Sequence, residues 1–376
     1  MAHDEQEGSV TLKEILKFML QANASDLHLK VGSPPVLRVN GALQPLGKQV
    51  ISNDHLKTFT SQVLSERQQK ILLETRELDC ALSIAGLGRF RCNVYYQRGT
   101  PSFAIRAIPV GIKGIHELNL PPTVEAVSMR PRGLVLVTGV TGSGKSTTLA
   151  AMIQHINLHK RMKIVTVEDP IEFLFRDQLS IISQREIGAD THTFASALKH
   201  ILRQDPDVIM VGEIRDTETM ETAIKAADTG HLVLSTLHTT DAPTTINRII
   251  SFFPPYQHDQ MRSLIANNLV GIISMRLIPT ADGEGRVPAC EILVSTEAVR
   301  EHIADHAKLP MIPTLLQEGH LQYGMQTFDQ ALMKLYRDGT IRFEDALFHS
   351  TNPNEFALRV KGIEATSDTK WTQLTG

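Results

Sequence analysis

The sequence predicts an α/β protein in two parts, a small α+β domain followed by a larger domain built on a parallel sheet with flanking helices. Three observations predict it. The 376 residues exceed the roughly 150 that one domain commonly uses. The first third carries short strands punctuated by glycines and turn dipeptides, as antiparallel strands do. From Gly133 onward, short apolar strands alternate with helical stretches, the pattern of a parallel sheet.

In chain order, Leu12, Ile15, Leu16 and Met19 fall at i, i+3, i+4 and i+7, one apolar stripe of a helix ending near Ala22. Leu27, Leu29 and Val31 alternate with His28 and Lys30 as a strand. A second strand over 36–39 runs into Asn40-Gly41, which favours a tight hairpin turn. A helix is expected over 54–73, then strands over 79–84, 89–97 and 102–108, separated by Gly86, Gly88, Gly99 and Pro101. This makes residues 1–110 the first domain. Pro109, Gly111, Gly114, Pro121, Pro122 and Pro131 show little periodicity, so 111–131 is expected to be a connector and 132–376 the second domain. Its part from Pro254 reads as mostly helical.

Composition excludes several classes of function. Hydrophobic residues make up 42% and charged residues 21%, near the globular average, which rules out whole-chain disorder and fibrous repeats. Thirty-eight basic against forty-one acidic side chains give a net charge of −3, so no nucleic-acid partner is expected. No run of about eighteen apolar residues occurs, so no direct membrane insertion is expected. The opening MAHDEQEG is polar and acidic, unlike a secretory leader, and a cytoplasmic chain is expected. Cys80, Cys92 and Cys290 lack CxxC spacing and read as buried thiols.

Residues 134–138 form a continuous apolar strand, and Gly139-Val140-Thr141-Gly142-Ser143-Gly144-Lys145-Ser146 directly after it is a complete GxxxxGKS phosphate loop. Its glycines let backbone N–H groups point at phosphate oxygens, and the following helix adds its positive end. Lys145 is placed to reach the β and γ phosphates, and Ser146 to offer its hydroxyl to Mg²⁺. ATP and Mg²⁺ are therefore the expected ligands. Gly139, Thr141, Gly142, Ser143, Gly144, Lys145, Ser146 and Thr147 are the expected binding residues.

Two later strands end in carboxylates. Residues 163–167 run into Glu168-Asp169-Pro170, and 208–211 into Gly212-Glu213. In a parallel sheet such strand ends share the ligand-facing edge. Glu213 has no Asp before it and is itself expected to hold the metal through water, while Glu168 is the candidate for polarising the attacking water. A third strand, 231–238, carries His at both ends, after a helix that begins past Asp216 and stops at Gly230. By itself His238 reads as a hydrogen-bonding residue of that strand.

Taken together, GVTGSGKST, IVTVEDPIEF, DPDVIMVGEIRD and TGHLVLSTLHTTDA resemble the Walker A, Asp box, atypical Walker B and His box of the type II/IV secretion ATPase superfamily. SDLHLKVGSPPVLRVNG, GRFRCNVYYQRG and GMQTFDQAL extend the resemblance toward the PilT/PilU branch, which powers type IV pilus retraction and twitching motility. The resemblance implies a PAS-like N-terminal domain, a RecA-like P-loop ATPase domain with a mainly helical C-terminal part, and a ring-shaped homohexamer. An inner-membrane pilus platform protein and a paralogous retraction ATPase are the other partners it implies. It also assigns Lys145 and Ser146 to the phosphates and Mg²⁺, Glu168 to catalysis, Glu213 to the metal and water, and His238 to the γ phosphate. Arg89 and Arg91 in GRFR, and Arg106 in AIRAIP, match the family's N-terminal arginines. Arg89 and Arg91 lie two apart on a strand and so share a face suited to a polyphosphate.

Three scattered cysteines do not supply the tetracysteine zinc insertion of the assembly ATPases, so retraction is expected over extension. Residues 298–305 keep only Ala298, Arg300 and Ile303 of the AIRNLIRE stretch associated with PilT, whereas GMQTFDQALMKLYRDGTIRFEDALFHSTNPNE is closer to PilU. Primary and accessory retraction motors both remain open on this sequence. A pilus assembly ATPase and a nucleotide-dependent scaffold with little hydrolysis are the remaining readings.

Overall fold

The first helix is set by its cap. The Thr11 hydroxyl accepts the Glu14 N–H while the Glu14 carboxylate accepts the Thr11 N–H, and α1 (Leu12–Gln21) then buries Leu12, Ile15, Leu16 and Met19. A computed structural model describes residues 11–39, 41–108 and 111–362. The polar tail, Asn40 and Pro109 lie outside the described residues.

Strands β1 (Asp26–Leu29), β2 (Val36–Val39) and β3 (Ala42–Pro45) follow, with Gly41 at φ 82° in the hairpin turn. The helix expected over 54–73 is two helices, α2 (Asn53–Val63) and α3 (Glu66–Thr75). Leu64 is extended and Ser65 starts a new capping box with Gln68, a local bond that hydrophobic periodicity does not register. β4 (Glu77–Ile84), β5 (Gly88–Gln97) and β6 (Thr100–Ala107) complete a six-stranded antiparallel sheet in the order β3-β2-β1-β6-β5-β4. Leu27, Leu29, Phe90, Val94, Phe103 and Ile105 are buried on its covered face. Cys92 and Cys290 are buried and Cys80 is half-buried.

The chain divides into two units, one running to residue 111 and including 172–174, the other holding 112–171 and 175 onward. The stretch expected as a connector is folded. It forms α4 (Thr123–Ser128), and Ile115, Leu120, Val124 and Val127 are buried in the core of the second unit. Four apolar residues spaced among the prolines join that core, although their spacing matches no single period.

The second unit is built from β7 (Gly133–Thr138), α5 (Lys145–His159), β8 (Lys163–Glu168), β9 (Ile181–Glu186), α6 (Phe194–Ile201), β10 (Val208–Val211), α7 (Thr217–Asp228), β11 (Leu232–Leu237) and α8 (Ala242–Ile250). Then come α9 (His258–Asn268), β12 (Leu269–Pro279) and β13 (Arg286–Val294). The sheet order is β13-β12-β7-β11-β10-β8-β9, parallel throughout except for β13. The part after Pro254 is mostly helical, but it also contributes the β12–β13 hairpin to this sheet. Among the described residues no helix is long and apolar enough to cross a membrane.

Candidate nucleotide site

Strand β7 is buried along its whole length and delivers the chain to Gly139 at the edge of the sheet. Gly139 has φ 142°, and a Cβ there would sit 2.5 Å from Ser143 Oγ and 2.6 Å from the Met275 carbonyl oxygen, so only glycine fits. Gly144, at φ 96°, is the N-cap of α5, and no side chain caps that helix. Its neighbours α6, α7 and α8 are capped by Thr193, Asp216 and Asp241. The loop and the first turn of α5 therefore present backbone N–H groups to an anion.

Lys145 is buried, and its Nζ donates to the carbonyls of Gly139 at 2.8 Å and Val140 at 3.0 Å. The Ser143 hydroxyl is buried with no hydrogen-bond partner among the described residues. Such a group costs about 1–3 kcal/mol, which an acceptor bound in the loop would remove. Thr141, Gly142 and Ser146 are exposed and Thr147 is half-buried. A glycine cradle, an interior ammonium and an unsatisfied donor fit a polyphosphate. The Ser146 hydroxyl and the Glu213 carboxylate are hard oxygen donors of the kind Mg²⁺ takes.

Because β7, β11, β10 and β8 are parallel neighbours in that order, the phosphate loop, His238, Glu213 and Glu168 follow one another along a single sheet edge. Glu168 is 6% exposed. The Thr166 hydroxyl donates to its Oε1 at 2.6 Å, and Gln184 Nε2 donates to the same oxygen at 3.1 Å. Glu213 Oε2 forms an ion pair with Arg215, 2.7 Å from its Nε, and lies 3.5 Å from His238 Nε2. The Thr236 hydroxyl donates to the Gly212 carbonyl at 2.7 Å, strapping the Glu213 loop to β11. Glu213 and His238 are thereby held side by side. Arg215, Thr166 and Gln184 escape a motif reading. Arg215 stands two residues after Glu213 in GEIRD, a signal that was available; Gln184 comes from β9 and has no local one.

Arg89, Arg91 and Arg106 belong to the first unit. Phe90, Cys92 and Val94 point into its core, which puts Arg89 and Arg91 together on the opposite face of β5. Arg106 is the register partner of Arg91 on one side and of Asp26 on the other. Its Nε donates to Asp26 at 2.8 Å, and Arg38 lies 4.0 Å from the same carboxylate. Burial works against ionisation of Asp26, but hydrogen bonds from Ser25 and Arg106 outweigh it and hold this carboxyl below its ordinary range.

Residues 109–322 match the family described as "Type II/IV secretion system protein". The type IV pilus ATPase PilU of Pseudomonas aeruginosa is 40% identical over 357 residues, 95% of this chain and 93% of that protein. The type IV pilus retraction ATPase PilT of the same organism is 40% identical over 345 residues, 92% of this chain and 99% of that protein. A crystal structure of the pilus retraction motor PilT with bound ADP matches with a TM-score of 0.86 at 45% identity, covering 92% of this chain and 99% of that one. A phosphate loop and three polar strand ends on one parallel sheet, with likeness spanning nearly the whole chain, lead to one conclusion: the chain belongs to the type II/IV secretion ATPase family, in its PilT/PilU branch.

Proposed function

We propose that this chain is the subunit of a homohexameric ATP hydrolase that drives type IV pilus retraction, as the primary or the accessory motor. One observation carries the reading: the phosphate loop, His238, Glu213 and Glu168 stand on adjacent parallel strands at one edge of the sheet. The names of its near-full-length relatives, PilU and PilT, and the ADP held by PilT support the same nucleotide and the same work.

In this reading the loop N–H groups and the first turn of α5 bind the phosphates, and Lys145 exchanges its two carbonyl acceptors for phosphate oxygens. Ser146 and Glu213 would hold Mg²⁺, which supplies neutralisation of charge on the phosphoryl oxygens when bound. Glu168 accepts a proton from the attacking water, and Thr166 and Gln184 fix the carboxylate that does so. Arg215 keeps Glu213 in place, and His238 contacts the γ phosphate. Arg89, Arg91 and Arg106 act on the nucleotide of the neighbouring subunit, so hydrolysis at one seam moves one subunit against the next. The ring works on the cytoplasmic side, against an inner-membrane platform protein of the pilus.

Replacing Glu168 tests the chemistry. Glu168→Gln keeps the shape and both hydrogen-bond donors but removes the base, so turnover falls about 10²- to 10⁴-fold while nucleotide binding persists. Steady-state hydrolysis alongside titration with a fluorescent ATP analogue measures both. Undiminished turnover would remove Glu168 from the mechanism.

A further inference from the structure

The β12–β13 hairpin carries none of the nucleotide motifs, yet each of its strands reaches an element next to the site. Ser274 of β12 pairs with Thr138 of β7, the residue before the phosphate loop, and accepts its hydroxyl at 3.0 Å. The next residue, Met275, closes against Gly139 with its carbonyl and against Gly144 with its methyl group. Opposite Ser274 in the antiparallel register stands Glu291 of β13, only 6% exposed. Its Oε1 accepts the N–H of Ala242 at 2.8 Å. Ala242 is the first residue of α8, four positions after His238.

The backbone donors of that helix start are fully assigned. The Ala242 N–H goes to Glu291, Pro243 has none, and the Thr244 N–H goes to Asp241 Oδ1 at 2.8 Å. The segment before it is tied to the same turn. Thr239 Oγ1 lies 2.6 Å from Thr245 Oγ1, whose own hydroxyl donates to the Asp241 carbonyl at 2.6 Å. Residues 238–241 are thus clamped where they enter α8, and His238 is the exposed residue where they leave β11. Asp241 alone is an adequate cap for the helix. A second, buried carboxylate on one further N–H is an expensive addition for stability alone, since desolvating such a group costs several kcal/mol.

We infer that Glu291 is a positioning residue for His238: by fixing the first turn of α8 it sets the imidazole beside Glu213, from the same strand pair that braces the phosphate loop. This rests on the reading of His238 as a nucleotide-facing group. Glu291 does not touch the reacting atoms. Arg276, stacked on the Phe328 ring and donating to the His349 carbonyl, faces Glu291 together with Asp241 and Asp329.

The test is steady-state ATP hydrolysis by the full chain. Glu291→Met keeps the side-chain volume and removes the acceptor. Its kcat is expected to fall about tenfold or more with KM for ATP within about threefold, because a displaced group slows chemistry without loosening the phosphate grip. Glu291→Gln, whose amide oxygen still accepts the Ala242 N–H, is expected to return kcat to within about twofold of the parent. Ala242→Pro deletes the donor instead and is expected to reproduce the split. Asp241, at φ −158° and ψ 170°, already has the extended backbone that a following proline requires. In a His238→Ala background, Glu291→Met is expected to cost no more than about twofold further. Parental turnover in both Glu291→Met and Ala242→Pro, or full additivity with His238→Ala, would overturn the proposal. Parental turnover in His238→Ala would instead overturn the placement of His238 at the nucleotide, a separate failure.

Discussion

Glu291 shows at the scale of one residue how a functional position is set against stability. Burial pushes its carboxyl up to about 7, from an ordinary 4.5; the Ala242 N–H and Arg276 pull it down, and Asp241 and Asp329 push it further up. The sign of the pH effect follows. Below the ordinary value both folded and unfolded chains hold the proton and nothing is lost. Between 4.5 and about 7 the folded chain holds a proton that the unfolded chain releases, so stability declines as pH rises through this window. Above it the full loss remains, on the order of 3 kcal/mol at about 1.4 kcal/mol per pH unit. Glu291→Gln has no carboxyl to titrate. Its Tm relative to the parent is expected to rise by about 5 °C between pH 5 and pH 8, read by thermal unfolding in the same buffers. An equal Tm difference at both pH values would show that Glu291 does not titrate there.

At the scale of elements, the strand–loop–helix of the phosphate site depends on backbone shape as much as on Lys145. The positive φ at Gly139 and its closeness to the rigid Met275 carbonyl leave no place for a methyl group. Gly139→Ala is expected to leave the far-UV circular dichroism of the chain unchanged but to weaken nucleotide binding by at least about tenfold, as the loop shifts away from its cradle. Unaltered affinity would mean that the loop tolerates the shift. This element was fully legible in the sequence, because every residue it needs is contiguous. α1 was legible for the same reason, its whole apolar stripe lying between Leu12 and Met19. The break between α2 and α3 was not, since a capping box at Ser65 and Gln68 interrupts an otherwise continuous apolar pattern. β12 and β13 were hidden among helices. Their buried faces give near-continuous apolar runs, which periodicity does not distinguish from a buried helix.

At the scale of the whole molecule, the site divides between what sequence spacing conveys and what only folding brings together. Glu168 and Glu213 could be placed by strand ends alone, while His238 needed the family resemblance, because nothing local distinguishes it from a strand-end histidine. Gln184 and Glu291 act through partners that only the fold brings near, whereas Thr166 meets Glu168 two residues along its own strand. The arginines raise a question of assembly, since Arg91 lies in one unit and Lys145 in the other. If each nucleotide is held by the phosphate loop of one subunit and the arginines of the next, the ring contains heterologous seams, and each seam draws its parts from two chains. Lys145→Ala and Arg91→Ala should then each abolish most hydrolysis alone. Mixed and reassembled in equal amounts, they generate some seams with an intact loop facing an intact arginine. With random assembly and independent seams, hydrolysis should return to about a quarter of the parental rate, one half for each requirement. If the arginines served the loop of their own chain, every subunit in the mixture would carry a lesion and no activity would return at any ratio. A recovery that peaks near equal proportions, measured by steady-state hydrolysis across the mixing series, is therefore the result that a shared site requires.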